Sequence, residues 1–158
     1  MSHRLWRIGT DTLTYTADDL SGTGARITGG RWNSKGTAVT YTSSSRALAC
    51  LETVVHLNAS GLPLNRYLVE VTVPKDIWAR RETIDPAQHV GWDAEPAGLT
   101  STEVGTRWIT ERRSALLCVP SVIVPEEDNI LINPAHADAT RITAQKVRRW
   151  LYDPRLAR

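Results

Sequence analysis

Between residues 115 and 133 three β-prone runs (115–119, 121–124 and 129–133) are each followed by a proline, at Pro120, Pro125 and Pro134. Proline fixes its own φ and withdraws a ladder donor, so none of these runs can extend into a long helix or a long central strand. Upstream, Tyr67, Val69, Val71 and Val73 alternate with Leu68, Glu70 and Thr72 until Pro74, the period of a half-buried strand. Residues 5–8 and 38–42, and a segment between Arg141 and Tyr152, read as further strands. Two helices fit between them. One is capped by Ser43, Ser44 or Ser45 and runs to about Asn58, ending near Gly61 and Pro63; the other is capped by Thr100 or Ser101, with Glu103 in its first turn, and runs to about Arg113. Residues 21–36, with five glycines, read as an ordered loop, and residues 85–98 as irregular. Strands outnumber helices and no regular βαβ alternation appears. The expectation is an α+β fold with a twisted, mostly antiparallel sheet core and a few short helices.

At 158 residues the chain has the length of one domain, spanning 1–158, and its 41% apolar content suffices for a packed interior. No apolar run approaches the roughly 20 residues of a membrane-spanning helix, and residues 1–7 lack the apolar centre of a signal peptide, so no membrane association and a cytoplasmic location are expected. Cys50 and Cys118 stand apart, without the spacing of a disulfide framework or a zinc site, and read as buried thiols. Of 19 basic residues 16 are arginine, the side chain suited to paired hydrogen bonds with phosphate and carboxylate. Residues 141–158 carry a net charge of +5. A non-catalytic nucleic-acid-binding module would use such a stripe, but without a binding motif an arginine-rich last strand packing on its own acidic body is the reading preferred.

Glu52 stands on the apolar side of the first helix, where Leu48, Leu51, Val55 and Ala59 fall near it and His56 follows one turn on. A carboxylate there needs a cation, several donors or a ligand, so an internal salt bridge to arginine and a functional role both fit. His56 lacks the companions of a metal site and reads as a packed or capping histidine; no metal is expected.

The loop from Thr28 to Gly36 contains Gly29-Gly30-Arg31-Trp32-Asn33. Glycines admit close backbone approach, Arg31 can hold a diphosphate or carboxylate, and Trp32 offers a stacking face, which suits a nucleotide. A tight connection whose tryptophan plugs the core accounts for the same residues. Neither dinucleotide pattern is present, since Gly22-Thr23-Gly24 lacks a third glycine and no Gly-Lys-Ser/Thr follows. Tyr41, at a strand end, could stack on a flat ring or simply edge the core. Ser121, a hydroxyl in an apolar run, reads as satisfied by backbone, and Asn133-Pro134 as a helix cap and first helical residue.

In this order, Gly-Gly-Arg31-Trp32-Asn33, Gly36, Tyr41, Glu52, Pro120-Ser121 and Ile132-Asn133-Pro134-x-His136, the chain resembles the RES-domain family, over essentially its whole length. The family's Arg, Glu and Ser map to Arg31, Glu52 and Ser121; Ser34 stands where the family pattern has proline. The resemblance implies an ADP-ribosyltransferase-like fold and a bacterial type II toxin. Its substrate would be NAD+, cleaved between nicotinamide and ribose, with ADP-ribose passing to phosphate, to water or to a protein acceptor. It also implies a hetero-oligomer with a cognate helix-turn-helix antitoxin of the Xre type, and no direct nucleic-acid binding. In that setting Glu52, Arg31 and Tyr41 are the expected catalytic residues, with Arg31, Trp32, Tyr41, Ser121 and Asn133 around the dinucleotide. Glu52 would stabilise the charge developing on the ribose, and Arg31 would grip the diphosphate.

Overall fold

The computed structural model describes residues 1–57 and 62–157. Seven strands join in one sheet: β1 (Ser2–Thr10), β2 (Thr40–Ser43), β3 (Arg66–Pro74), β4 (Glu82–Thr83), β5 (Leu116–Pro120), β6 (Asp128–Ile132) and β7 (Thr143–Arg149). Their order across the sheet is β4-β5-β6-β2-β1-β3-β7. Every pairing is antiparallel except the short β4–β5 contact. The helices are α1 (Thr23–Thr28), α2 (Arg46–Val54), α3 (Lys75–Ala79) and α4 (Leu99–Glu111). The fold is α+β, as the scarcity of βαβ alternation indicated.

The core lies on both faces of the sheet. In β5, Leu116 and Cys118 join Val69, Val71 and Ile130 on one face, while Leu117 and Val119 join Trp32, Trp108 and Leu131 on the other. A strand covered on both sides loses its polar alternation, which is why these runs read as nearly continuous apolar sequence. A third cluster, Trp6, Ile8, Leu68, Ala49 and Tyr152, sits beneath α2.

Where the elements depart from the sequence reading, local chemistry gives the reason. Within 21–36 the chain forms α1, and after Pro74 it turns at once into α3; at six and five residues both are too short to show a helical period. Residues 121–124 form a turn rather than a strand, because Ser121 Oγ accepts from the backbone N–H of Ile123 and Val124, at 3.1 Å each. The cap of α2 is Ser45, whose side chain accepts from Leu48 N at 3.1 Å, and the helix ends at Val54; Asn58 and Gly61 lie outside the described residues. Gly98 rather than Thr100 or Ser101 precedes α4. Asn133 caps no helix; its Oδ1 accepts from Ala135 N at 3.0 Å, and His136 caps the 3₁₀ turn Ala137–Arg141.

One irregularity positions the site. β1 and β2 exchange a single register pair, Trp6 opposite Ser43. A continued antiparallel ladder would bring Ile8 opposite Tyr41; instead the strands part, and the cleft between them opens.

Candidate active site

The cleft is a cavity of about 1170 Å³. That slightly exceeds the roughly 300–1,000 Å³ of ordinary small-molecule pockets, so an extended ligand fits. Arg7 and Ile8 of β1 line one side and Tyr41 to Ser43 of β2 the other. Gly29 to Trp32, Glu52 and Asn129 complete the wall used below.

Glu52 projects from α2 toward the ends of β5 and β6. Its Oε1 accepts from Ser121 Oγ at 2.6 Å and from Asn129 Nδ2 at 2.8 Å. Asn129 is itself fixed by Ser43 Oγ, which donates to Asn129 Oδ1 at 2.7 Å, the two residues being opposite each other in the β2–β6 ladder. Two neutral donors therefore aim the carboxylate, and among the described residues no cation pairs with it. This disposes of the internal salt bridge as the reason for a carboxylate at this point. The apolar side of α2 is also narrower than its spacing suggested. Leu48 and Ala49 are buried whereas Val55 is exposed, and Ala59 lies outside the described residues, so Glu52 faces the cavity rather than the core.

Arg31 is largely enclosed and already engaged. Its Nη1 donates to the carbonyls of Trp92 at 3.1 Å and Ala94 at 2.7 Å, and its Nη2 meets Glu95 Oε2 at 2.8 Å. The guanidinium thus ties its loop to the strap at residues 92–95. Trp32 takes the core position: it is 2% exposed, packs with Trp108 and stacks on Trp92 with ring centroids 6.2 Å apart, leaving its rim at the cavity wall. The Tyr41 hydroxyl donates to Asn33 Oδ1 at 2.6 Å and accepts from Trp32 N at 3.1 Å. Burial pushes the Tyr41 phenol well above its ordinary pKa, against the smaller opposing pulls of the Trp32 N–H and Arg31, so the group is a neutral hydroxyl. Gly30 is glycine because a Cβ there would lie 2.7 Å from the Tyr41 hydroxyl and 2.9 Å from Asn33 Oδ1.

The loop is also clamped from α4. Thr102 Oγ1 donates to Arg31 O at 3.2 Å, Thr106 Oγ1 accepts from Ser34 N at 3.0 Å, and Gly105 between them touches the Trp32 backbone. Residues 102, 105 and 106 share one helix face. The bond to Thr106 uses the N–H that a proline at position 34 would lack.

The structure thus brings Arg31, Trp32, Tyr41 and Glu52 to one cavity and sets Ser121 behind Glu52, fully buried, where it reaches the cavity through that carboxylate. Asn133 is not brought there. It is fully buried, and its Nδ2 donates to Ile109 O at 3.0 Å, joining β6 to α4. Asn129 and Arg7 were not singled out from sequence, and Ser43 only as a possible helix cap; the pairing of Asn129 with Ser43 becomes visible once register is known. His56 lines the cavity wall, and among the described residues no group of three or more His, Cys, Asp or Glu side chains is placed to hold a metal ion.

A family profile, the RES domain, matches residues 4–154. The chain belongs to the RES-domain family. Among curated relatives of this RES domain is the "Prs ADP-ribosylating toxin" of a Sphingobium species. It is 64% identical over 159 aligned residues that span all of this chain and 99% of the relative. A "Toxin Res" from Yersinia enterocolitica is 36% identical over 90% of this chain and 93% of its own. Another "Toxin Res", from Pseudomonas putida, is 37% identical over 85% and 87% respectively.

Proposed function

We propose that this RES domain is a toxin that binds NAD+ in the cleft between β1 and β2 and breaks the bond between nicotinamide and ribose. The ADP-ribose passes to phosphate or water, depleting NAD+, or to a protein. The observation that carries the reading is Glu52. It is a carboxylate on the wall of an extended cavity, aimed by Ser121 and Asn129 and free of a cationic partner among the described residues. The name of the 64% identical relative, an ADP-ribosylating toxin, supports ADP-ribosyl chemistry as the class of reaction.

As the nicotinamide bond lengthens, positive charge develops on the ribose. A preoriented carboxylate stabilises that charge more than it stabilises the neutral sugar, and so lowers the barrier. Neutral donors suit this task better than a salt bridge would, because an arginine on Oε1 would already have spent the negative charge. Ser121 and Asn129 act as positioning residues. Tyr41 and Arg31 hold the Gly30–Asn33 segment as a wall for the ligand. Nicotinamide is a good leaving group, so the reaction asks for no partner acid opposite Glu52.

Control of such an activity falls to a cognate antitoxin, of the Xre helix-turn-helix type, in a hetero-oligomer. A chain terminus entering the cleft beside Arg31 would exclude the ligand. The nucleic-acid alternative loses much of its motivation in the structure, since Arg141 and Lys146 of the basic end pair with Asp76 and Asp11.

Incubation with NAD+, with and without phosphate, is expected to release nicotinamide, and the mass balance separates the acceptors: free ADP-ribose or its phosphate, or one protein heavier by ADP-ribose. Glu52→Gln keeps the shape and a hydrogen-bond acceptor but removes the charge. A loss of at least about 100-fold in turnover is expected, with an unchanged melting temperature. Full turnover by that variant would move the chemistry to another residue.

A further inference from the structure

Arg31 divides its hydrogen bonds between backbone and side chain. Both hydrogens of Nη1 go to carbonyls, those of Trp92 and Ala94, which fix the guanidinium to the strap. Nη2 is engaged by Glu95 Oε2 at 2.8 Å, and among the described residues Nε has no partner. The edge formed by Nε and Nη2 is the fork that meets two oxygens of a carboxylate or phosphate together. Glu95 therefore holds that edge by one bond where a phosphate would make two.

The two partners are unequally held. The Arg31 side chain is 17% exposed and lines the cavity, whereas the Glu95 side chain is 76% exposed, lines the same cavity and makes no other hydrogen bond among the described residues. Moving Glu95 aside breaks one contact of the exposed kind that solvent screens; moving Arg31 breaks two bonds to backbone. Glu52, on the same wall, meets only neutral donors among the described residues, so of these two carboxylates Glu95 alone cancels a cation in the cleft. A diphosphate entering the cleft thus meets a fixed cation behind a displaceable carboxylate, and that carboxylate repels it until it swings away.

We propose that Glu95 is a built-in competitor for the ligand's diphosphate: its carboxylate occupies the Arg31 fork until a diphosphate displaces it, and so weakens binding in the cleft. This rests on the reading of the cleft as an NAD+ site and names what tunes the affinity of its diphosphate end. The test titrates the full chain with ADP-ribose, with inorganic pyrophosphate and with adenosine, for wild type, Glu95→Gln and Asp93→Asn. Asp93 is an exposed carboxylate two residues away on the same strap and outside the cavity wall, so its variant removes an equal charge without touching Arg31. Glu95→Gln is expected to bind ADP-ribose and pyrophosphate about two- to fivefold more tightly than wild type, the gain that loss of an exposed ion pair allows, with adenosine unchanged. In turnover, KM for NAD+ should fall in the same proportion. Asp93→Asn should leave all of these near wild type. Unchanged or weaker binding of both phosphate compounds by Glu95→Gln overturns the proposal, because Glu95 would then support Arg31 instead of competing for it. An equal gain in Asp93→Asn overturns it as well, assigning the effect to net charge, as does failure of both wild type and Glu95→Gln to bind either phosphate compound. Protein whose ADP-ribose affinity rises in Glu95→Gln yet which releases no nicotinamide would instead refute the NAD+ cleavage while leaving the competition standing.

Discussion

The Tyr41 hydroxyl both donates to Asn33 and accepts from Trp32, and neither partner has another use for it. The Asn33 amide is committed through Nδ2 to the carbonyls of Ala25 and Thr37, at 2.9 Å each, so Asn33 cannot turn away to find water. Tyr41→Phe keeps the ring and strands two buried polar atoms, and a destabilisation of about 1–3 kcal/mol is expected, read as a lower denaturant midpoint at constant slope. An equal midpoint would mean that the loop is held by α4 alone. At this scale the sequence was legible where one residue type carries its own contradiction. A carboxylate among apolar neighbours pointed to Glu52, although its burial was overestimated, since Val55 is exposed. Asn129 was not legible, because its meaning comes from facing Ser43 across a ladder whose register no local pattern encodes.

At the scale of elements, α4 is the abutment against which the Gly-Gly-Arg-Trp-Asn loop is built. Gly105 sits mid-helix, where glycine ordinarily costs about 1 kcal/mol relative to alanine. Here a Cβ would run into the Trp32 carbonyl oxygen and lie 2.7 Å from its carbon. Both atoms are backbone of a buried residue, so the helix or the loop must shift. Gly105→Ala should therefore destabilise by about 1–3 kcal/mol despite its better helix propensity, and should weaken ligand binding by moving Trp32 and Arg31 together. A stabilised Gly105→Ala variant would show that the loop yields freely. The helix itself was readable from its length, while its role was not. The small residues at 102, 105 and 106 form a helical face in sequence, but only the fold supplies the loop they grip. Likewise α1 and α3 are too short for periodicity, and tertiary contacts rather than propensity decide them.

For the whole molecule, ion pairs tie the late part of the chain to the early part. Asp76 in the first turn of α3 accepts from both Nη groups of Arg141, at 2.8 and 2.9 Å, and Lys146 of β7 meets Asp11 at 2.8 Å. Arg141 and Lys146 fit the reading of a basic end on its own acidic body, whereas Arg148 and Arg149 of β7 form no ion pair among the described residues. Hydrogen bonding to Arg141 leads the causes that pull the Asp76 carboxyl from its ordinary 3.8 to about 2, and the Lys146 bond lowers Asp11 in the same direction. A folded-state pKa below the unfolded one means that the unfolded chain binds protons first. The Asp76–Arg141 pair's stabilisation is complete above about pH 4 and drains away as pH falls through about 2. Both partners are solvent-exposed, so the effect is modest and screened by salt. Asp76→Asn removes the titrating group. The melting temperature of wild type is expected to exceed that of the variant at pH 6, and the gap should close toward pH 2 and shrink in 1 M salt. A gap that stays constant with pH would assign the role of Asp76 to the shape of the turn after Pro74 and not to its charge.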